Sequence, residues 1–214
     1  MNEPLVSILL IVKNGMPYLR EAVASVARQS YRNYELIVQD GRSTDGSLEF
    51  LRQVVDGPRL KIETLPDRGI GQACNRALAR GRGDIIGTLA CDDRLESRAL
   101  EIAAREFEKH PEAAAIYGSV KMTEAKGQVI RSYEVDSFDV LRFMKCESLP
   151  PMAAMFFSRK VCGEELRFDE SMKTCSDYDL LLRLSHLPFV KVRTCLARVR
   201  ISEMSQTCRP EMYE

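Results

Sequence analysis

Two stretches decide the reading of this chain: Val6-Ser7-Ile8-Leu9-Leu10-Ile11-Val12-Lys13-Asn14-Gly15 and Tyr34-Glu35-Leu36-Ile37-Val38-Gln39-Asp40-Gly41-Arg42-Ser43-Thr44-Asp45-Gly46-Ser47. Each is a short apolar run closed by polar and turn-forming residues, the pattern of a strand buried on both faces that ends in a loop. A helical pattern lies between them, with Pro17 near its start and Leu19, Ala22, Val23 and Val26 at i, i+3, i+4 and i+7. Strand, helix, strand in that order predicts parallel pairing. Leu60 to Thr64 and Ile85 to Ala90 continue the series. The expected fold class is α/β, a mostly parallel central sheet flanked by helices.

Beyond residue 93 the pattern changes. Ala114 to Lys121 and Val129 to Val135 read as strands joined through the turn signal Lys126-Gly127, and Ser137 to Lys145 reads as a helix. Pro150-Pro151 breaks the chain; Met152 to Ser158 then reads as a strand, Ser176 to Leu187 as a helix and Phe189 to Thr194 as a late strand. No linker separates independent units, so residues 1–214 are expected to form one domain, with a ligand-binding half over 1–93 and a second, mixed half over 94–214.

Composition narrows the function classes. Lys plus Arg and Asp plus Glu each number 31 in 214 residues, so no net field draws the chain to nucleic acid or to an anionic membrane. Seven scattered cysteines, odd in number and without C-x-x-C spacing, suit reduced thiols in a cytoplasm. Neither His110 nor His186 stands near a cysteine pair, so zinc is not expected. The run Val6 to Val12 falls far short of the roughly 20 residues a helix needs to cross a bilayer, and no signal peptide or membrane span is expected.

In open α/β sheets ligands bind beyond the carboxyl ends of the strands. Those positions carry Lys13-Asn14-Gly15, Asp40 to Ser47, Asp67-Arg68-Gly69 and Asp92-Asp93. Each also has a purely structural reading. Asn14-Gly15 and Asp45-Gly46 are turn dipeptides, and Ser43 to Ser47 can cap the helix carrying Leu48 and Leu51. Asp93 with Glu96 makes a capping box for the helix with Leu100, Ala104 and Phe107. Against this, adjacent carboxylates at a strand end are costly unless a cation or a donor neutralises them.

Taken in order, the two opening stretches, Pro66-Asp67-Arg68-Gly69-Ile70-Gly71, and Gly83-Asp84-Ile85-Ile86-Gly87 leading to Asp92-Asp93 resemble the N-terminal signature of family 2 glycosyltransferases, which have the GT-A (Rossmann-like) fold. The resemblance implies a nucleoside-diphosphate sugar donor, a UDP-sugar being the first expectation, and a saccharide or lipid-linked acceptor. It implies that the backbone of Ile11, Val12 and Lys13, with the Asp40 carboxylate, holds the nucleobase and ribose, and that Asp67 and Arg68 line the same pocket. Asp92 would lie nearer the ribose and Asp93 would hold a divalent ion, Mn²⁺ or Mg²⁺. Cys91 stands where relatives often carry Ser.

Further along, Ser176-Asp177-Tyr178-Asp179 opens a helix whose apolar side carries Leu180, Leu181, Leu184 and Leu187, with Ser176 read as the N-cap. By the same resemblance Asp177 is the general base in an inverting single displacement. Relatives often have Glu or Gly before this Asp. Arg198, Arg200 and Ser205-Gln206 fall where relatives have a mobile loop near the phosphates, although the arginines also read as a plain basic strand edge. The expected setting is polysaccharide or glycolipid assembly in the cytoplasm, with peripheral association at the inner membrane face.

Two alternatives stand beside this reading. Gly69-Ile70-Gly71-Gln72-Ala73-Cys74 imitates part of the dinucleotide fingerprint of an oxidoreductase, but Cys74 occupies the third glycine position and the match falls in the third βα unit. The other is a nucleotide-sugar-binding protein without turnover.

Overall fold

The computed structural model describes residues 3–54, 59–172, 174–202 and 205. Strands β1 (Val6–Val12), β2 (Tyr34–Asp40), β3 (Leu60–Thr64) and β4 (Ile85–Ala90) alternate with helices α1 (Leu19–Ala27), α2 (Ser47–Val54) and α3 (Ile70–Arg80). A two-residue strand, β5 (Arg94–Leu95), precedes α4 (Ala99–Lys109). The second half supplies β6 (Ala115–Thr123), β7 (Val129–Tyr133), α5 (Val140–Met144), β8 (Met155–Ser158), α6 (Arg159–Cys162), α7 (Ser176–Arg183) and β9 (Phe189–Arg200). Among the described residues these strands form one sheet, in the order β3-β2-β1-β4-β8-β6-β9-β5, with β7 paired to β6.

The four strands read as parallel are parallel, and their registers bring their carboxyl ends level. Val12 lies opposite Asp40, Ile11 opposite Ala90, and Asp40 opposite Thr64. Side chains alternate between faces along a strand. Ile8, Leu10 and Val12 of β1 therefore pack with Leu19, Val23, Leu51 and Leu100 in one layer. Leu9 packs with Ile37, Ile86, Ala77, Leu180 and Leu184 in the other. Each such aliphatic side chain contributes about 1.5–3 kcal/mol on burial, so the two layers fix the sheet and with it the edge where the loops gather.

Several boundaries differ from the sequence expectation. The helix read over Ser137 to Lys145 shortens to α5, because the Asp139 carboxylate accepts the Arg142 N–H (2.9 Å) and starts the helix there. The strand read from Met152 begins at Met155, after a 3₁₀ turn over Met152–Ala154, and β7 stops at Tyr133. The helix opening at Ser176 passes at Leu184–His186 into a 3₁₀ turn.

The largest difference is β9, which runs to Arg200 instead of ending at Thr194. It pairs in parallel with β6 and antiparallel with β5. The register with β6 shifts around Ser119: Tyr117 faces Lys191, Ser119 faces Cys195 and Val120 faces Ala197, so β9 carries extra residues there. Gly118 makes room for them, because a Cβ on it would lie 2.4 Å from the Thr194 carbonyl oxygen.

At the opposite end of the sheet a buried ion pair ties three strands. Glu35 accepts hydrogen bonds from Ser7 Oγ (2.6 Å), Lys61 Nζ (2.8 Å) and the Arg82 N–H. Burial pushes the Glu35 carboxyl up, but these three donors outweigh it and hold the group below its ordinary value. A depressed carboxylate contributes stability that is fully present above its unfolded pKa and is lost as pH falls through its folded one. Glu35→Gln is therefore expected to cost on the order of 2 kcal/mol at pH 7, with the gap to wild type closing below about pH 4. Urea unfolding between pH 7 and pH 3 checks this, and a gap independent of pH would rule the linkage out.

Candidate active site

The loops after β1 and β2 are sewn together. Asn14 N–H donates to Ser43 Oγ (2.8 Å), Gly15 N–H to Ser47 Oγ (3.0 Å) and Met16 N–H to Asp45 Oδ2 (2.8 Å), while Thr44 N–H returns a bond to Asn14 Oδ1 (2.9 Å). Asp45 Oδ1 also accepts the Ser47 N–H at the start of α2 (3.0 Å), so the capping reading holds for this residue. Burial raises the Asp45 carboxyl, but the bonds from Ser47 and Met16 win and lower it. Asn14 and Arg42 both sit at positive φ, 53° and 60°, backbone values that cost energy outside glycine. The interlock holds both turns in place.

What remains at this edge is Lys13, Asp40 and Gly41. Lys13 is exposed, whereas Val12 is buried and its carbonyl accepts the Gly41 N–H (2.8 Å). Asp40 is fully enclosed, both of its oxygens receiving the Ser43 N–H at 3.3 and 3.2 Å. A Cβ at Gly41 would lie 2.5 Å from Asp67 Oδ2 and 3.4 Å from Lys13 Cδ. The absence of a side chain there lets the loops after β1, β2 and β3 meet.

Two buried thiols report on their neighbours. Cys74, in the second turn of α3, is pushed up to about 12 by burial first and then by the charges of Asp177 and Asp67. Asp177 thus approaches the same end of the sheet as Asp67, although 110 positions separate them in sequence. Cys91 is likewise raised to about 12 by burial and by Asp92, and it receives a bond from the Lys13 backbone. Contacts thus lead from Asp92 through Cys91, Lys13 and Gly41 to Asp67, and Cys74 lies in the fields of both Asp67 and Asp177.

The acidic pair does not cap a helix. β5 intervenes, α4 starts at Ala99, and Glu96 Oε1 accepts Arg198 Nε (2.8 Å). Asp93 is 8% exposed and its Oδ1 accepts the Arg200 N–H (2.9 Å). Burial, then the adjacent Asp92 charge, push the Asp93 carboxyl up to about 7, and the Arg200 bond only partly offsets them. Asp92 is the less enclosed of the two, with Oδ2 accepting Ser205 Oγ (3.2 Å). Two hard oxygen donors with uncompensated charge fit a divalent cation. Among the described residues no group of three or more His, Cys, Asp and Glu could hold a metal by itself.

Asp177 lies at the start of α7, with Cys175 in the left-handed region (φ 60°) just before it. Ser176 is buried within the first turn and is not the N-cap; no side chain caps this end. Asp179 pairs with Arg183 at 2.9 Å, whereas the exposed Asp177 accepts only the adjacent Tyr178 N–H (2.9 Å) among the described hydrogen bonds. Tyr178 stacks on Phe143 of α5, with ring centroids 4.4 Å apart. Of the two acids at this helix start, Asp177 is the one open to a ligand.

Arg68 is exposed at the start of α3, where its N–H donates to Gln72 Oε1 (3.1 Å) and its charge lies in the field of Glu170. No described contact brings it to the acidic pair. Sequence reasoning passed over the tie between α3 and the segment before α7. Asn75 exchanges bonds with Phe168 N–H (2.9 Å) and O (2.8 Å), and with Gln72 it holds Glu170 at 3.0 and 2.9 Å. A polar Asn on the packed side of α3 was the available signal. A half-open cleft of about 380 Å³ at this tie is lined by Asn75, Glu170, Asp179 and Arg183, and Asp177 is not among its lining residues. Arg200, read from sequence as one of two edge arginines, is 1% exposed. Gln206 lies outside the described residues.

A parallel sheet whose level carboxyl ends gather four carboxylates, extended by strands that bring a fifth on α7, defines the GT-A class of nucleotide-sugar-handling folds. Comparison with known proteins agrees. Residues 7–162 match the family described as Glycosyl transferase family 2, and the chain belongs to that family. It is 30% identical over 203 residues to a chondroitin synthase from Escherichia coli, covering 92% of this chain and 29% of that protein. To a hyaluronan synthase from Pasteurella multocida it is 29% identical over 188 residues, 86% of this chain and 19% of the other. The chain thus spans less than a third of these relatives' length. Among solved structures, S. aureus TarS 1-349 in complex with UDP-GlcNAc superposes with a TM-score of 0.76 at 18% identity, covering 94% of this chain and 59% of that one. The mannosyltransferase PcManGT from Pyrobaculum calidifontis, in complex with GDP-Man and Mn²⁺, gives 0.71 at 16% identity, covering 96% and 59%.

Proposed function

We propose that this chain transfers a sugar from a nucleoside-diphosphate sugar, a UDP-sugar, to a hydroxyl of a saccharide or lipid-linked acceptor, with inversion at the anomeric carbon. The observation that carries the reading is the meeting of the segments bearing Asp92, Lys13, Gly41 and Asp67 at the carboxyl ends of the sheet, with Asp67 and Asp177 both acting on Cys74. The nucleotide rests on the backbone of Ile11, Val12 and Lys13, beside Asp67, with Asp40 beneath it and Arg68 at the rim. Asp92 and Asp93 hold Mn²⁺ or Mg²⁺, Asp92 presenting the more open carboxylate and Asp93 its oxygen left free by Arg200. When bound, the ion neutralises charge on the departing diphosphate.

Asp177 takes the proton from the acceptor hydroxyl as that oxygen attacks the anomeric carbon and the bond from that carbon to the diphosphate oxygen breaks. A carboxylate is a weak base in water and acts here by position. Similarity to a chondroitin synthase and a hyaluronan synthase supports polysaccharide assembly as the setting. The six described cysteines are free, which suits a reducing cytoplasm, and among the described residues no helix is long and apolar enough to cross a membrane.

A thermal-shift panel of UDP-, GDP-, dTDP- and CDP-sugars, each with and without Mn²⁺ and beside NAD, tests this reading. A ligand at a hundred times its Kd stabilises the folded state by about 2.7 kcal/mol, which for a chain of this size raises Tm by roughly 5–10 °C. The largest shift is expected with a UDP-sugar in Mn²⁺. A shift with NAD alone would replace the proposal by the dinucleotide reading, and a UDP-sugar shift without transfer to any acceptor would leave a binding protein.

A further inference from the structure

We propose that Arg200 is a positioning residue that sets the Asp92–Asp93 pair for the cation and the diphosphate, an inference that rests on the sugar-nucleotide reading above. Arginine is almost never fully buried unless it is paired. Here it is the largest fully buried side chain among the described residues, and its partners come from three separate segments. Its backbone N–H donates to Asp93 Oδ1 (2.9 Å) and its Nε to the Asp92 carbonyl (3.2 Å). The remaining guanidinium nitrogens reach Glu21 Oε2 (2.9 Å), the Glu124 carbonyl (3.4 Å) and the Ala125 carbonyl. Its flat face lies 4.2 Å from the centroid of the Tyr18 ring.

One residue thus holds both members of the acidic pair, Asp92 by its backbone and Asp93 by its side chain, and is itself anchored to α1 through Glu21 and Tyr18. Its own carbonyl accepts Ser205 Oγ (2.8 Å), the hydroxyl that also reaches Asp92 Oδ2. Glue alone does not explain this choice. Burying a guanidinium carries a desolvation cost, and well-packed apolar residues often hold such a place as firmly or more so. An apolar side chain cannot fix the Asp92 carbonyl. Lysine keeps the charge but lacks the planar fork that serves several acceptors at once. Arg200 takes the Asp92 carbonyl and one Asp93 oxygen, so Asp92 Oδ1 and Asp93 Oδ2 carry no hydrogen bond among the described contacts.

The test compares wild type with Arg200→Lys and Glu21→Gln by calorimetric titration of UDP at a series of Mn²⁺ concentrations, alongside thermal melts without ligand. Glu21 lies outside the acidic pair and the nucleotide loops, but its Oε2 also accepts Arg94 Nη1 (2.7 Å), so Arg94→Lys, expected to leave the Mn²⁺ requirement unchanged, is measured beside it to separate the two arginines. The expected result is a rise of about tenfold or more in the Mn²⁺ needed for half-maximal UDP binding in both variants, in the range seen when groups supporting metal ligands are removed. Melting should stay within a few degrees of wild type, and transfer by Arg200→Lys should recover at saturating Mn²⁺. An unchanged Mn²⁺ requirement in both variants, whatever the melting point, would make Arg200 a packing residue and overturn the proposal. Should Arg200→Lys fail to fold, Glu21→Gln read against Arg94→Lys decides. If wild type binds no UDP at any Mn²⁺ concentration, the sugar-nucleotide reading itself falls, an outcome distinct from loss of the positioning role.

Discussion

Transfer by Asp177→Asn is expected to fall by roughly 10²–10⁴-fold, the share a positioned general base contributes. Nucleotide affinity should hardly change, because Asp177 is exposed at the start of α7 and bonds only the Tyr178 N–H among the described contacts. Asparagine keeps that bond and the shape while removing the capacity to take a proton. Stability should move by no more than about 0.5 kcal/mol, as for surface changes elsewhere. Single-turnover transfer measured beside UDP calorimetry separates the outcomes. Loss of UDP binding with transfer retained would assign Asp177 to the donor and leave the base unidentified. Full activity in both assays would remove it from the site.

For Asp92→Asn the expected loss is about 10²–10³-fold, and it should include nucleotide binding that depends on Mn²⁺. Asp92 is the more open of two adjacent carboxylates, and nothing else among the described residues assembles a metal-binding group near it. Removing its charge leaves the enclosed Asp93, with one oxygen already committed to the Arg200 N–H. Half-maximal activation by Mn²⁺ should move upward together with KM for the donor. A variant that keeps wild-type Mn²⁺ dependence would place the cation elsewhere or dispense with it.

β1, β2 and β4 were legible because both faces of each are buried, so apolar residues run without alternation and the loops stand out as breaks, whereas the edge strand β3 showed itself by alternation. The capping box at Asp93 and Glu96 was a plausible local pattern that long-range partners overrode: Arg200 takes the Asp and Arg198 takes the Glu, each more than a hundred positions away. Arg200 escaped because charge is ordinarily evidence of exposure, and only the arrival of β9 beside Asp93 encloses it. Asn75 and Glu170 escaped for a similar reason, since no pattern within α3 shows what its polar side chain meets 95 residues later. The interlock of Asn14 with Ser43 and Thr44 lay between two recognised turns, each of which explains itself as a turn alone. What sequence could not show was mostly pairing between distant polar groups.

The extra residues that β9 carries opposite Ser119 and Gly118 have one more effect. They act as slack in a cable, so tension on one end is not passed unchanged to the other. The stretch from Phe189 to Lys191 lies on β6 in one register, and the stretch from Ala197 to Arg200 lies on it in another while also pairing with β5. A single strand thereby carries two alignments, one for the framework and one for the working edge.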